Sequence, residues 1–182
     1  MVKNRILRHS ILRRFQDPEH EHQRCVQQAL AAAEAKCLTE GMRLTTIRRR
    51  VLELIWGSHE PVKAYDLLDQ LRGEDRRAAP PTVYRALNFL LETGLVHKIE
   101  SQNAYVGCGQ PKQLHSSQFL ICRDCGSVAE LDDPQVSELL AAKARQLGFK
   151  VDRECIEIAG LCSGCGGRQS QGAGGRSRSR PD

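Results

Sequence analysis

Two Cys-x-x-Cys pairs give the strongest chemical signal in the sequence: Cys122 with Cys125, and Cys162 with Cys165. A spacing of two residues lets both thiolates of a tight turn reach one ion, and two such turns complete a tetrahedral zinc site. An iron–sulfur cluster or two separate redox dithiols are the alternatives. Neither pair has the context of a thioredoxin-type site, in which the motif opens a helix beside a βαβ pattern. We therefore expect structural zinc, with a helix and a strand packed between the two pairs.

A second group of possible metal ligands is spread over the middle of the chain and consists of His97, Cys108, His115 and Glu130. Each has an ordinary explanation when it is taken alone, because a single histidine on a hairpin or a single glutamate is usually a surface or packing residue. Together, two nitrogens, one sulfur and one oxygen would suit a tetrahedral zinc ion. The spacing leaves both interpretations open, and the second requires that two folding units meet at these residues.

The elements that must position these ligands begin with helices. Apolar residues recur at three- and four-residue spacing in four segments, which predicts helices over 24–40, 46–56, 64–72 and 80–92. The segment 95–107 then predicts a short strand, a turn and a second strand. The last three of these helices, followed by a β-hairpin, give the order of a winged helix-turn-helix, so we predict a winged-helix DNA-binding domain over residues 25–106.

The predicted helix 80–92 has two different faces. Its apolar residues converge on one side, whereas the other side carries Thr82, Tyr84, Arg85 and Asn88. These side chains are planar or hydrogen-bonding and lie toward the helix N-terminus, so they can reach base edges and phosphates in a major groove. The alternative is a helical adaptor whose polar face is solvated.

The rest of the chain predicts a hinge at 107–116 and a small α/β dimerisation domain at 117–165. In that domain we expect strands on both sides of the first cysteine pair, a helix that starts at Asp133-Pro134, and a strand before the second pair. The predicted fold class is therefore α/β in the α+β sense, with the structural zinc in the second domain.

The two ends of the chain differ from the rest in composition. We expect the extension 1–24 to be disordered or loosely helical, and the tail 166–182, which is made of Gly, Ser, Arg and Gln with few other residues, to be disordered. The formal net charge is +5, but most of the basic excess lies in these ends, so a DNA surface must be local to the first half.

Composition also narrows the class of protein. No apolar run approaches the ~20 residues of a membrane span, and the N-terminus lacks a secretory pattern. We therefore expect a cytoplasmic protein with reduced thiols and no membrane partner. Because no acid/base partner or substrate-pocket pattern accompanies the cysteines, we assign no catalytic residue and do not expect an enzyme.

Specific motifs make the chain similar to the ferric uptake regulator (Fur) family of bacterial metal-dependent repressors, from about Cys25 to Cys165. The resemblance rests on Arg43-Leu44-Thr45 with Arg48, on the blocks 81–87 and 94–98, and on both cysteine pairs. The segment PPTVYRALNFLLETGLVHKIES with the later YVGC most resembles the zinc uptake regulator branch.

The resemblance implies a set of roles for these residues. It makes Cys122, Cys125, Cys162 and Cys165 the structural zinc ligands, and His97, Cys108, His115 and Glu130 the regulatory zinc ligands, hence two Zn²⁺ per chain. It further implies a homodimeric, zinc-loaded repressor of zinc uptake genes that binds double-stranded DNA at a palindromic operator. Tyr84 and Arg85 would be the main base readers, and Thr82 and Asn88 with nearby arginines would contact phosphate.

The chain departs from the family pattern at two places. The helix opener Leu-Thr-Pro-Gln-Arg is replaced by residues 44–48, LTTIR, which a threonine can still cap. The histidine-rich run of iron-type members is reduced to Leu114-His115-Ser116-Ser117. Together with the thiolate of Cys108, this argues against an iron, manganese or peroxide sensor. The remaining alternatives are a Fur-family sensor of another metal, a zinc-ribbon module that binds protein, and a thiol enzyme.

Overall fold

A computed structural model describes residues 11–15, 22–58, 60–74, 76–111 and 116–172, with backbone alone at 22 and 168–172. We refer to residues 22–107 as the N-terminal half and to residues 116–172 as the C-terminal half. In the described part of the chain, no helix has the length and apolar character needed to cross a membrane.

The N-terminal half is a winged-helix unit. Its elements are α1 (His22–Thr39), α2 (Thr46–Trp56), β2 (Val62–Lys63), α3 (Ala64–Glu74), α4 (Pro80–Glu92), β3 (Val96–Ile99) and β4 (Ala104–Gly107), after a short strand β1 (Ile11–Arg13) described below. One apolar core joins the four helices, because the periodic Leu, Ile and Val residues all face it. The hairpin β3–β4 is the wing, and β4 also pairs with β2. The predicted helices and hairpin are confirmed.

The C-terminal half is a sheet with one crossover helix. It contains β5 (Ser117–Cys122), β6 (Val128–Leu131), α5 (Pro134–Gln146), β7 (Cys155–Gly160) and α6 (Ser163–Gly172). Strand β5 pairs antiparallel with β6 and parallel with β7. A parallel pair needs a crossover connection, and α5 supplies it, which explains the long segment between the two cysteine pairs. The Asp133 side chain caps α5 by accepting a 2.9 Å hydrogen bond from the Gln135 amide.

The two halves pack against each other through the wing. A small apolar cluster holds Ile99 and Val106 of the wing against Phe119, Ile121 and Val128 of the C-terminal sheet. A second contact lies nearby, where the Glu157 carboxylate of β7 accepts hydrogen bonds from the amides of Glu100 at 2.6 Å and Ser101 at 3.1 Å. These contacts set the angle between the halves.

Two predictions about the ends of the chain are wrong in part. Within the extension 1–24, Ile11–Arg13 forms strand β1, which pairs antiparallel with β6, and residues 22–24 already belong to α1. The edge of β6 offers backbone hydrogen bonds that β1 completes, and a strand of only three residues, Ile-Leu-Arg, is too short to be recognised from the sequence. In the tail 166–182, the first residues belong to α6, because Cys162 O accepts from the amides of Cys165 and Gly166 and starts a helical turn. Residues 173–182 lie outside the described residues.

Candidate metal centres and DNA-facing surface

The two cysteine pairs meet in one cluster. The sulfur atoms of Cys122, Cys125, Cys162 and Cys165 all lie within 4.8 Å of one another, and the Cys125 and Cys162 sulfurs are 3.8 Å apart. Zinc–thiolate bonds of about 2.3 Å at tetrahedral angles place sulfurs roughly 3.8 Å apart. The donor set and spacing therefore fit zinc, and we call these four residues the cysteine cluster.

The strand pairing explains how residues so distant in sequence come together. Cys122 ends β5 and is paired with Gly160 at the end of the neighbouring parallel strand β7. The first pair then turns back through Gly126, whose φ of 71° is a left-handed conformation that favours glycine. The second pair follows β7 and, contrary to the sequence prediction, does open a helix, α6. Its thiols nevertheless face those of the first pair, which favours shared metal ligation over two separate dithiols.

Backbone amides favour the thiolate form in this cluster. The Cys162 amide donates to the Cys122 sulfur at 3.4 Å, and backbone hydrogen bonds from Cys162 and Cys125 lower the pKa of Cys122 to about 6. The Ser127 hydroxyl lies 3.1 Å from the Cys125 sulfur. Because the thiolate is the metal-binding form, these contacts prepare the cluster for a cation.

A second cluster lies where the two halves and the hinge meet. Ligand atoms of His97 on β3, Cys108 just after β4 and Glu130 on β6 lie within 4.8 Å of one another. Cys108 and Glu130 are buried, and Glu130 is only 1% exposed. We call these three residues the joint cluster. The predicted fourth member, His115, lies outside the described residues, so its role stays a prediction.

Hydrogen bonds orient the donors of the joint cluster. His97 Nε2 lies 2.9 Å from Glu130 Oε1, while His97 Nδ1 lies 3.2 Å from the Ser117 hydroxyl. Glu130 Oε2 accepts a 2.7 Å hydrogen bond from the Gly109 amide. A metal-binding histidine usually has its other ring nitrogen hydrogen-bonded in this way, so Nε2 is the candidate ligand atom.

The charges of the joint cluster suit a divalent cation. Burial lowers the pKa of His97, but its hydrogen bonds with Cys108 and Glu130 raise it to about 9. The same two acceptors that favour a proton on the His97 ring would also favour a bound cation. Ligand distances of about 2.0–2.1 Å place nitrogen and oxygen roughly 3.3 Å apart in a tetrahedral zinc site, so the 2.9 Å pair needs to open by only about half an ångström. The arrangement fits zinc.

Helix α4 presents the face that the sequence predicted. Tyr84, Arg85 and Asn88 are exposed and Thr82 is half-buried, with Tyr84 43% exposed. Its inward residues are buried in the core, namely Val83, Ala86, Leu87 and Leu90. The position of the polar face is confirmed, and its contact with DNA stays a prediction.

The arginines of α2 are engaged within the protein. Arg49 pairs with Glu34 at 3.0 Å, and Arg50 forms ion pairs with both Glu53 and Glu74. Those pairs hold the pKa of Arg50 above its usual value. These two residues are therefore weak candidates for the phosphate contacts expected of nearby arginines.

Two side chains, Tyr65 and Arg13, were not singled out from the sequence. Tyr65, in the first turn of α3, is an aromatic side chain that is 70% exposed, as its position between inward Ala64 and Leu67 indicates. Arg13, on β1, is buried beside Glu130 and Trp56. Burial lowers the pKa of Arg13, and the Glu130 carboxylate opposes that effect. The local sequence carries no signal for it.

Sequence comparisons find relatives over most of the chain. The sequence model of the Ferric uptake regulator family matches residues 39–159. The zinc uptake regulation protein of Escherichia coli (strain K12) is 45% identical over 142 residues, 76% of this chain and 82% of that protein. The zinc uptake regulation protein of Mycobacterium tuberculosis (strain ATCC 25618 / H37Rv) is 33% identical over 128 residues, 69% of this chain and 95% of that protein.

Two solved structures are similar over most of the chain. A zinc uptake regulator complexed with zinc and DNA is 43% identical, with a TM-score of 0.76, and the match covers 80% of this chain and 97% of that one. A crystal structure of holo XcZur is 48% identical, with a TM-score of 0.72, and covers 77% of this chain and 98% of that one.

Proposed function

Because the chain belongs to the ferric uptake regulator family, we propose that it is a zinc-responsive, DNA-binding transcriptional repressor of zinc uptake genes. The observation that carries this proposal is the joint cluster, whose donors come from the wing, the hinge and the C-terminal sheet. The relatives named for zinc uptake regulation and the similar structure with zinc and DNA support it.

The donor chemistry favours zinc over a harder metal. A thiolate from Cys108 and an imidazole from His97 are ligands that zinc accepts readily, whereas manganese suits carboxylate and carbonyl oxygens. The geometry of the cysteine cluster supports a second, structural zinc in each chain. We therefore assign two Zn²⁺ per chain: the cysteine cluster holds the structural ion, and the joint cluster, with His115 as its fourth ligand, holds the regulatory one.

The proposed mechanism follows from where the joint cluster lies. Bound zinc supplies one crosslink among the wing, the hinge and the C-terminal sheet. His97 moves with the wing and Glu130 with the sheet, so fixing their separation restricts the angle at which α4 is presented. If only that angle fits DNA, a ligand of the restricted state raises DNA affinity by removing other conformations.

The assembly that we propose is a homodimer paired through the C-terminal half. Helix α5 has no buried residue in the single chain, and its exposed side includes Val136, Leu139 and Leu140. Exposed Ile158 lies on β7, an outer strand of the described sheet. Such an apolar surface is typical of a protein interface, and a two-fold dimer would read a palindromic operator.

Helix α4 would then be the reading helix of each chain. Tyr84 and Arg85 would reach base edges, and Thr82 and Asn88 would contact phosphates. In this proposal the partner is double-stranded DNA, the protein has no catalytic residue, and it acts in the cytoplasm.

The deciding experiment is a DNA-binding titration at buffered free zinc. Duplexes are first selected from a random pool by the zinc-loaded protein, and binding to the selected duplex is followed by fluorescence anisotropy at about 0.15 M salt. We expect DNA affinity to rise at least tenfold as the second zinc binds. The zinc-ribbon alternative predicts no selected sequence and no change with zinc.

A matched pair of variants separates specific reading from overall charge. Arg85→Ala should lose affinity for the selected duplex, by about 1–3 kcal/mol for a base contact, with its zinc content unchanged. Arg14→Ala removes the same charge from an exposed position directly after β1, away from α4 and α5, and should bind as the parent does. Equal losses in both variants would remove Arg85 from the set of base readers.

A further inference from the structure

Strand β1 lies outside the region that the family model matches, which begins at residue 39. It extends the C-terminal sheet at the edge of β6, where Ile11 pairs with Leu131 and Arg13 pairs with Glu130. The register shifts between these two pairs, because β1 advances by two residues where β6 advances by one. At the second pair the buried Arg13 side chain lies close to the buried carboxylate of the joint cluster.

The Arg13 side chain connects the C-terminal sheet to the N-terminal half. Its guanidinium carbon lies 5.4 Å from the centroid of the Trp56 ring, within range of a cation–π contact. Its Nη1 atom lies 3.5 Å from Gly107 O at the end of β4. Trp56 ends α2 and Gly107 ends the wing, so one side chain from β1 contacts both parts of the DNA-binding unit.

The backbone of β1 covers the hinge. A Cβ atom at Gly109 would lie 2.8 Å from Leu12 O and 3.1 Å from Glu130 Oε2, so the hinge fits between β1 and the joint cluster only because residue 109 is glycine. A Cβ atom at Gly107 would lie 2.2 Å from the Trp56 ring. Both glycines thus permit a close approach at the place where β1, the hinge and α2 meet.

The burial of Arg13 carries an unfavourable desolvation free energy. The residue is 7% exposed, and its Nε atom has no hydrogen-bond partner within the described residues. A buried charge is normally kept only where a charged partner or a specific contact offsets its desolvation. Here Glu130 supplies the opposite charge, and Trp56 supplies the aromatic face.

We propose that Arg13, delivered by β1, is a positioning residue of the joint: it holds the N-terminal half against the C-terminal sheet in the arrangement that brings the joint cluster together. The inference rests on the proposed function only in taking this joint as the regulated one. Arg13 acts on the angle of the DNA-binding half before the second zinc binds, and the backbone of β1 lies against the hinge at Gly109.

Hydrogen exchange tests this proposal without DNA and without the second zinc. The reporters are the Gly109 amide, which donates to Glu130, and the Glu100 and Ser101 amides, which donate to Glu157. In protein that holds zinc only at the cysteine cluster, Arg13→Met should speed exchange in peptides that span these amides by about tenfold, because opening of the joint exposes them.

Three controls show whether the change in exchange is specific to the Arg13 side chain. Arg13→Lys keeps the charge without the planar group and should fall between the parent and Arg13→Met. Arg14→Met removes the neighbouring exposed charge of the same strand extension and should exchange as the parent does. The Cys122 amide, bonded to Ser127 O at 2.9 Å, should stay protected in all variants and thereby report an intact C-terminal fold.

A second readout uses the zinc of the joint cluster. After both sites are filled, an excess of a chromophoric chelator should take up the joint zinc several-fold faster from Arg13→Met than from the parent, at an unchanged rate for the zinc of the cysteine cluster. Unchanged exchange at Gly109, Glu100 and Ser101 in Arg13→Met, or an equal change in Arg14→Met, overturns the proposal. A parent protein that binds no second zinc would instead overturn the proposed function, while leaving the exchange result interpretable.

Discussion

The cysteine cluster and the joint cluster differ both in their donors and in the parts of the chain that supply them. All four candidate ligands of the cysteine cluster belong to the C-terminal half, at the ends of two strands that are paired directly. The joint cluster takes one candidate ligand from the wing, one from the hinge and one from the C-terminal sheet. Its geometry therefore depends on the angle between the halves, whereas that of the cysteine cluster does not. A metal site can respond to a change in the angle between two halves only if its ligands come from both halves.

The largest loss of stability should follow from removing a ligand of the cysteine cluster. Cys122→Ser removes a ligand whose loss forfeits most of the metal-binding free energy, and structural zinc contributes about 10–16 kcal/mol in small zinc domains. This exceeds the stability of many whole domains. We expect the C-terminal half to lose its cooperative unfolding transition, measured by circular dichroism with zinc content determined in parallel.

The matched control is Cys155→Ser, because Cys155 is an exposed cysteine on β7 and belongs to neither metal cluster. It should melt and bind zinc as the parent does. A Cys122→Ser protein that keeps the parental unfolding transition would show that the cysteine cluster is not a structural zinc site.

Removing a ligand of the joint cluster should abolish the response to zinc and leave the fold intact. Cys108→Ser should leave a folded protein with about one zinc per chain, because the cysteine cluster is untouched. The zinc-dependent gain in DNA affinity should disappear, since the remaining donors no longer supply a thiolate. Metal content, melting temperature and anisotropy together test this, and retention of the second zinc at parental affinity would exclude Cys108 as a ligand.

The difference between the clusters also explains what could be predicted from the sequence. The Cys-x-x-Cys pairs are local motifs, and the faces of α4 follow from helical periodicity, so both predictions needed only neighbouring residues. The joint cluster needed the family resemblance, because its members lie on three separate elements. Arg13 was missed because its contacts are fixed by the pairing of β1 with β6, and its hydrogen-bond partner Gly107 lies 94 residues away. A three-residue strand has too little periodicity to identify.

Weakening the contact between β7 and the wing should lower zinc affinity at the joint cluster only. Glu157→Gln keeps the shape of the side chain but removes the charge that strengthens its bonds to the amides of Glu100 and Ser101. A loss of about 1 kcal/mol, typical of a partly solvated hydrogen bond, corresponds to roughly fivefold weaker zinc binding at the joint cluster.

Competition with a chelator of known zinc affinity measures this change, and the zinc of the cysteine cluster should be unaffected. Glu138→Gln, an exposed carboxylate on α5 of the same half, is the matched control and should change neither site. A parental zinc affinity in Glu157→Gln would mean that this contact does not set the angle of the wing.

The smallest effect on zinc affinity at the joint cluster should come from a change that weakens the C-terminal half without touching the joint. Asp133→Ala removes the cap of α5, which accepts from the Gln135 amide, at a cost of about 1 kcal/mol. The melting temperature of a protein of this size should fall by about 2–4 °C, while Asp133→Ser, which retains a capping oxygen, should recover most of the loss. Zinc affinity at the joint cluster should stay at the parental value, because the angle between the halves is set by contacts of β1, β7 and the wing. A fall in that affinity parallel to the loss of stability would mean that the joint responds to general destabilisation, and the contrast between the two clusters would then be one of degree.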